Sequence, residues 1–420
     1  MTQLDVAPPE QSSTSPVLMT TALARSLKGV PGSFKLAAIA MTRMVSGSIT
    51  VTLPDGRVLR FQGARPGVDA DLHIKDFAVV NRVMANGDIG FAEGLMAGEW
   101  DTTDLARILE AFSSNLDQMP RLLMGGPIMR AINAIRHKLL NRNTREGSRK
   151  NIHAHYDLGN RFYSRWLDPS MTYSSAVFRS PDEDLTTAQM NKYAQLADMI
   201  DLKPGMHVLE IGCGWGGFAE YAARERGARV TGVTISKEQH AWAVDRLARA
   251  GVSDRTEILL KDYRDITGQF DAVASIEMFE AVGEEYWPAY FDKVSSVLKP
   301  GGKAGLQIIT IDDRLFDEYR SRADFIQRYI FPGGMLPSVS RLRQEVQRAG
   351  LVWEGAAAFG LSYAETLSQW GTKFLEEWRS IRELGFDERF RQLWRFYLAY
   401  CEAGFRTGRI DVAQFAMVKP

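Results

Sequence analysis

The chain has 420 residues, 45% hydrophobic and 24% charged, and its 51 Lys plus Arg balance 51 Asp plus Glu. At roughly 150 residues per domain this means two or three globular domains, too apolar for a disordered polymer and too neutral to hold a nucleic acid by a whole-chain field. Two cysteines, Cys213 and Cys401, exclude a disulfide framework or a four-thiolate zinc centre and point to a reducing cytoplasm; no metal site is expected.

Residues 1–17 lack a basic start followed by an apolar run, so they read as a disordered tail and not a signal peptide. No apolar stretch reaches the roughly 18–20 residues that span a bilayer, which leaves only peripheral membrane contact. From 18 to 44 the pattern is helical, interrupted at Pro31-Gly32. Ile49, Val51 and Leu53 then alternate with polar residues, Pro54-Asp55-Gly56 turns, and 58–61 returns as the second arm of a hairpin. A further alternating run follows over 68–74. Asp76 is placed to cap a helix over about 77–84, and Thr103 to cap one carrying Leu105, Ile108, Leu109 and Phe112. Together 18–120 make a small α+β domain.

Residues 121–150 carry eight cations, Arg121, Arg130, Arg136, Lys138, Arg142, Arg145, Arg149 and Lys150, against the single acid Glu146, with apolar residues interleaved. Two readings stand level: a solvated basic linker between domains, or an amphipathic element seated on anionic lipid head groups.

From about Leu202 onward, strand-length apolar runs (VLEIG, ARVTGVTI, TEILLKD, FDAVASIEM, KAGLQIITI) alternate with helical segments, which predicts a mostly parallel sheet with helices on both faces over 151–420. The first run leads into Glu210-Ile211-Gly212-Cys213-Gly214-Trp215-Gly216-Gly217, a glycine turn that opens a helix. Glycines let a backbone approach a ligand without an intervening Cβ. The spacing is tighter than the dinucleotide fingerprint, and the second strand ends without the acid that would bind an NAD ribose. An acid comes one strand later, at Asp262. This arrangement is the pattern of S-adenosylmethionine methyltransferases.

Five segments, HAHYDLGNRFYSRWLDPSMTYSSAVF, LEIGCGWGGFAEYAARERGARVTGVTISKEQ, SIEMFEAVG, FPGGMLPS and SYAETL, occur in an order that resembles the cyclopropane-fatty-acyl-phospholipid synthase family over 150–420. Residues 45–120 are similar to that family's smaller N-terminal domain. The resemblance implies a Rossmann-like class I methyltransferase with a mostly parallel seven-stranded sheet. It also implies transfer of the S-adenosylmethionine methyl to the cis double bond of an acyl chain in a membrane phospholipid. By motif, Tyr173, Ser174, Glu210, Gly212 and Gly214 would contact the cofactor. Thr234 and Gln239 would meet its ribose in place of the usual acid, and Asp262 and Tyr263 would border the adenine.

An alkene needs no base to attack a sulfonium methyl, but the carbocation that results must be stabilised, kept dry and deprotonated. Glu280 matches the family's active-site glutamate and Tyr363 its partner tyrosine, with His155 and Tyr156 in a motif near the cofactor. The resemblance also implies a bicarbonate ion as proton acceptor, held by Ser175, Glu280, Gln307, Ile309 and Tyr363. Serine and glutamine stand where the family has cysteine and histidine, and glutamine can neither carry charge nor titrate. Proton loss from the new methyl closes a cyclopropane; loss from a neighbouring carbon leaves a methyl-branched alkene or a methylene group. Both endings stay open. An aromatic insertion at about 312–340, with Phe325, Tyr329, Ile330 and Phe331, could line an acyl tunnel, although residues at helical spacing are more often core. The expected partners are unsaturated phospholipid acyl chains and the anionic inner face of the cytoplasmic membrane, with no nucleic acid and with a homodimer left open. A non-catalytic lipid- or cofactor-binding protein is the competing class, opposed by the presence of both Glu280 and Tyr363.

Overall fold

A computed structural model of the chain describes residues 15–118 and 158–420. The chain divides into two compact units, Met1–Gly125 and Gly126–Pro420. The basic segment 121–150, His155 and Tyr156 lie outside the described residues.

The first unit is built on a five-stranded sheet in the order β1-β3-β2-β4-β5. β2 (Ser46–Thr52) and β3 (Val58–Gln62) form the expected antiparallel hairpin, Ile49 opposite Phe61 and Val51 opposite Leu59. These four side chains are buried, which fixes the register because a one-residue slip would turn them to water. β4 (Arg65–Ile74) lies parallel to β2, and β5 (Trp100–Asp101) closes that edge. The other edge is β1 (Val17–Leu18), paired to β3, so residue 17, expected to be the last of the tail, belongs to the sheet. Two cap assignments also shift. The helix expected from residue 77 begins at Ala78, with Asp76 accepting from the Ala78 N–H. The cap of Leu105–Ser113 is Asp104, one residue past Thr103, its carboxylate accepting from the Arg107 N–H.

The second unit is a seven-stranded sheet in the order β11-β12-β10-β9-β6-β7-β8. β6 (His207–Ile211), β7 (Arg229–Thr234), β8 (Thr256–Leu260), β9 (Phe270–Ile276) and β10 (Leu298–Ile311) are parallel. β12 (Ile410–Val418) runs antiparallel between β10 and the edge strand β11 (Val352–Ala358). Alternate residues feed two cores. Leu209, Ile211, Val273, Leu306 and Ile308 face Trp287, Tyr290, Phe291 and Val294 of the helix Trp287–Val297. Val208, Val230, Ala272 and Ala274 pack with Phe218, Ala222, Leu196 and Leu247 on the opposite side.

The chain runs from β6 outward to β7 and β8, then returns to place β9 on the other flank of β6. This reversal opens a crevice at the carboxyl ends of β6 and β9, where ligands of open α/β sheets bind. The glycine turn leaves β6 there and the SIEMFE segment leaves β9 there.

An aromatic block stands beside the crevice. Phe162, buried, has ring neighbours Tyr163, Trp166, Phe374, Phe386, Phe390 and Trp394 at 5.0–6.4 Å. Trp370, Trp394, Phe396 and Tyr397 are likewise buried, so these C-terminal aromatics are core. From the insertion, Phe325 is buried against Phe396 (4.7 Å) and Tyr400 (5.8 Å), and Met335 N–H donates to the Glu280 carbonyl at 2.8 Å.

Candidate active site

Gly212, Gly214 and Gly216 have φ of 81°, 51° and 83°, the left-handed region in which a side chain is strained. A Cβ on Gly214 would meet nothing within 4 Å, so the turn exposes bare backbone to the crevice. Gly216 leads into the helix Gly217–Glu225, and Trp215 Nε1 donates to Asn160 Oδ1 at 2.7 Å, tying the turn to the end of the HYDLGN motif. Glu210 is buried; burial pushes its carboxyl up to about 8 against the pull of Arg246 and Lys192. Its Oε2 has no hydrogen-bond partner among the described residues. Thr234 Oγ1 donates to Gln239 Oε1 at 2.9 Å, which turns the Gln239 amide nitrogen outward as a donor suited to a diol.

Asp262 is buried and clamped by Arg264, Nε to Oδ1 at 2.9 Å and Nη2 to Oδ2 at 2.7 Å. Tyr263, half-buried, packs on Tyr290 at 5.4 Å. Tyr173 hydrogen-bonds Tyr397 hydroxyl to hydroxyl at 2.7 Å. Ser174 Oγ accepts from Lys192 Nζ at 2.6 Å. A bare glycine turn, an unpartnered buried carboxylate oxygen and a neutral ribose pair at the ends of adjacent strands fit S-adenosylmethionine.

The second half of the crevice holds two carboxylates three residues apart. Ile309 N–H donates to Glu280 Oε1 at 2.6 Å, while Oε2 is buried with no hydrogen-bond partner among the described residues. The expected companions of Glu280 converge elsewhere. Ser175 N–H and Gln307 Nε2 each donate to Glu277 Oε1 at 2.8 Å, and the Tyr363 hydroxyl donates to Glu277 Oε2 at 2.7 Å. The Ser175 hydroxyl itself turns to the Ala176 carbonyl. The donor set expected to hold bicarbonate is thus already engaged with the chain's own carboxylates and does not fit a free anion.

Both glutamates are half-buried as whole residues, but their carboxyl ends are withdrawn from water. Burial, with the Glu277 charge adding to it, lifts the Glu280 pKa to about 8. Burial also raises Glu277, opposed by Tyr363, Lys192, Ser175 and Gln307. Lys192, on the helix Leu185–Met199, is fully buried and drops to about 7 through desolvation, held up in part by Glu277. Burial and the Glu277 charge keep the Tyr363 hydroxyl protonated as a donor.

Glu277, Lys192 and Gln414 are not singled out by sequence reasoning. The signal for Glu277 is the doubled acid of SIEMFE, and a second mark is its backbone. Its φ of 47° is a conformation that costs a non-glycine residue about 1–2 kcal/mol and that clusters at functional sites. Among the described residues no His/Cys/Asp/Glu cluster could hold a metal ion, and no helix is long and apolar enough to cross a membrane.

Comparison with known proteins agrees with this architecture. The family model for mycolic acid cyclopropane synthetase matches residues 143–415. The tuberculostearic acid methyltransferase UfaA1 of Mycobacterium tuberculosis is 41% identical over 81% of this chain and 81% of its own length. The cyclopropane-fatty-acyl-phospholipid synthase of Escherichia coli K12 is 37% identical over 82% of this chain and 87% of its own. The mycolic acid cyclopropane synthase CmaA1, solved with SAH and CTAB, superposes with a TM-score of 0.61 at 30% identity, covering 64% of this chain and 98% of that one. The fold is that of class I S-adenosylmethionine methyltransferases, and the chain belongs to the cyclopropane-fatty-acyl-phospholipid synthase family of S-adenosylmethionine-dependent lipid methyltransferases.

Proposed function

We propose that the chain transfers a methyl group to the cis double bond of an unsaturated acyl chain in a membrane phospholipid and that the product is a cyclopropane fatty acid. The observation that carries this reading is the pair Glu277 and Glu280, enclosed beside a bare glycine turn and an aromatic wall. S-adenosylmethionine supplies an electrophilic methyl when bound. Gly212, Gly214, Thr234, Gln239 and Asp262 would hold and orient it. The aromatic block, with Tyr173 and Trp370 at 5.4 Å, excludes water and presents ring faces, each worth on the order of 0.5–2 kcal/mol to a cation. Glu280, largely neutral near pH 7 because burial lifts it to about 8, offers a carboxyl oxygen with no hydrogen-bond partner among the described residues. Glu277, fed by three donors, carries the negative charge that balances a developing cation.

Mass spectrometry and NMR of unsaturated phospholipid vesicles treated with the enzyme and methyl-labelled cofactor test this directly. A gain of one CH₂ with upfield cyclopropane protons is expected; no label in lipid would remove the reading. The same gain with a surviving olefinic proton would instead support a methyl-branched alkene or methylene product, a reading consistent with the 41% identity to a relative named as a methyltransferase.

Peripheral attachment to the anionic inner face of the membrane through the 121–150 segment belongs to the same proposal. Flotation with anionic but not neutral vesicles, lost at high salt, is the expected behaviour. Equal binding to both would dismiss it.

A further inference from the structure

Three donors from separate parts of the fold aim at one side chain. The Ser175 amide comes from the loop before the helix Leu185–Met199, the Gln307 amide from β10, and the Tyr363 hydroxyl from the helix Gly360–Glu376. All three end on Glu277. The Gln307 amide is not free to flip, because Gln414 Nε2 donates to its Oε1 at 3.1 Å and leaves its Nε2 for the carboxylate. Gln414 is in turn anchored on the Lys192 carbonyl at 3.0 Å. Gln307, Ser175 and Gln414 are all buried. Burial pushes the Glu277 carboxyl up, but three donated hydrogens and the nearby Lys192 favour its charged form, so the geometry describes an anion.

The contrast with Glu280 is direct. That residue receives one donor and keeps an unpartnered oxygen, and the neighbouring Glu277 charge helps hold it neutral. The backbone of Glu277 is also strained, with φ of 47°, and its N–H is tied to the Gln307 carbonyl at 2.8 Å. The residues that donate to its carboxylate were expected from the family resemblance to grip a dissolved anion.

We propose that Glu277 is the resident anion of this reacting centre: its carboxylate takes the place of bicarbonate and accepts the proton lost by the methylated acyl cation. The assignment rests on the methyl-transfer reading above. The alkene π pair forms the new C–CH₃ bond as the S–CH₃ pair returns to sulfur. The pair of one C–H bond then fills the cationic carbon, as a ring C–C bond or a new C=C bond, and the proton passes to a Glu277 oxygen. Loss of that proton to bulk water restores the carboxylate. No external base enters the balance, and turnover is independent of bicarbonate.

The test uses the full chain in CO₂-depleted buffer with methyl-labelled cofactor and unsaturated phosphatidylglycerol vesicles. Wild-type turnover should not change when millimolar bicarbonate is added. Glu277→Gly suits its positive φ and so should fold; it should lose about 10²–10⁴-fold in depleted buffer, the range expected for a lost base, and recover with bicarbonate, formate or acetate. Glu277→Gln, which fills the same space, should be equally slow and show no rescue. Binding of ¹³C-bicarbonate by NMR, read without lipid, should appear in Glu277→Gly and not in the wild type. Bicarbonate stimulation of the wild type, or a fully active Glu277→Gly in depleted buffer, would overturn the proposal. Were lipid methylation absent altogether, the bicarbonate titration would still decide: binding to the wild type refutes a resident anion, and binding only to the glycine variant supports it.

Discussion

Gly212 and Met278 interlock across the carboxyl ends of β6 and β9: a Cβ on Gly212 would fall 2.6 Å from Met278 Cγ and 2.9 Å from its Cβ. Met278 lies between Glu277 and Glu280, so the cofactor turn and the reacting loop share one packing contact. Gly212→Ala should therefore disturb both, lowering stability by about 1–3 kcal/mol through overpacking and weakening S-adenosylmethionine binding. Part of the effect comes from the positive φ and part from the clash. Adding Met278→Ala should recover only the share of the clash made by Met278 Cγ, because the Cβ at 2.9 Å remains, and a calorimetric double-mutant comparison measures that share.

Gly214 separates these effects. Its Cβ would enter open space, so the Cβ of Gly214→Val meets no protein atom within 4 Å and the side chain fills the cofactor's side of the turn. Titration calorimetry should show cofactor binding abolished, with the melting temperature falling only by the backbone strain of a φ of 51°, about 1–2 kcal/mol. Normal affinity would remove the glycine turn from the cofactor site.

Glu280→Gln should leave cofactor affinity nearly intact and lower turnover by orders of magnitude; unchanged turnover would remove Glu280 from the mechanism. Its stability should also respond to pH in a defined direction. The carboxyl titrates near 4.5 when unfolded and at about 8 when folded, so between these values the folded state binds the extra proton. Its stabilising contribution is complete below about pH 4.5 and is lost as pH rises to about 8, at most about 1.4 kcal/mol per pH unit. Thermal melts should show the glutamine variant gaining on the wild type from pH 5 to pH 8. Parallel curves would contradict the raised value.

Phe162 anchors the aromatic block from a position just past the HYDLGN motif. Phe162→Ala removes a ring with six aromatic neighbours and should destabilise the chain by about 3–5 kcal/mol. Differential scanning calorimetry measures this, and a loss below about 1 kcal/mol would mean that the block collapses around the gap.

Most of the parallel sheet can be read from the amino-acid sequence. Its five strands announce themselves as apolar runs, the inner ones because they are covered on both faces, while in the edge strand β8 only Ile258 is buried. β11 and β12 do not stand out. VWEGAAA lies at a sheet edge with alternate residues exposed and is rich in Gly and Ala, so its strand character comes from pairing with β12. The cofactor turn can be found because its chemistry is written in consecutive residues. The resident carboxylate cannot: Ser175 is 102 positions from Glu277 and Tyr363 is 86. An acid three residues before Glu280 looks like a solvated neighbour until the fold brings its donors together. Asp104 escapes notice as a cap for a smaller reason, since Thr103 is also a favoured capping residue and stands one step earlier.

The left-handed backbone at Glu277 also bears on how the reacting centre can change over generations. Every glutamate codon becomes a glycine codon by one substitution at its second base. At this position that change relieves backbone strain. The carboxylate can therefore be gained or surrendered in a single mutational step, and its loss strands three buried donors until an anion fills the space. Under the resident-anion assignment, one substitution separates a self-sufficient enzyme from one that needs a dissolved anion.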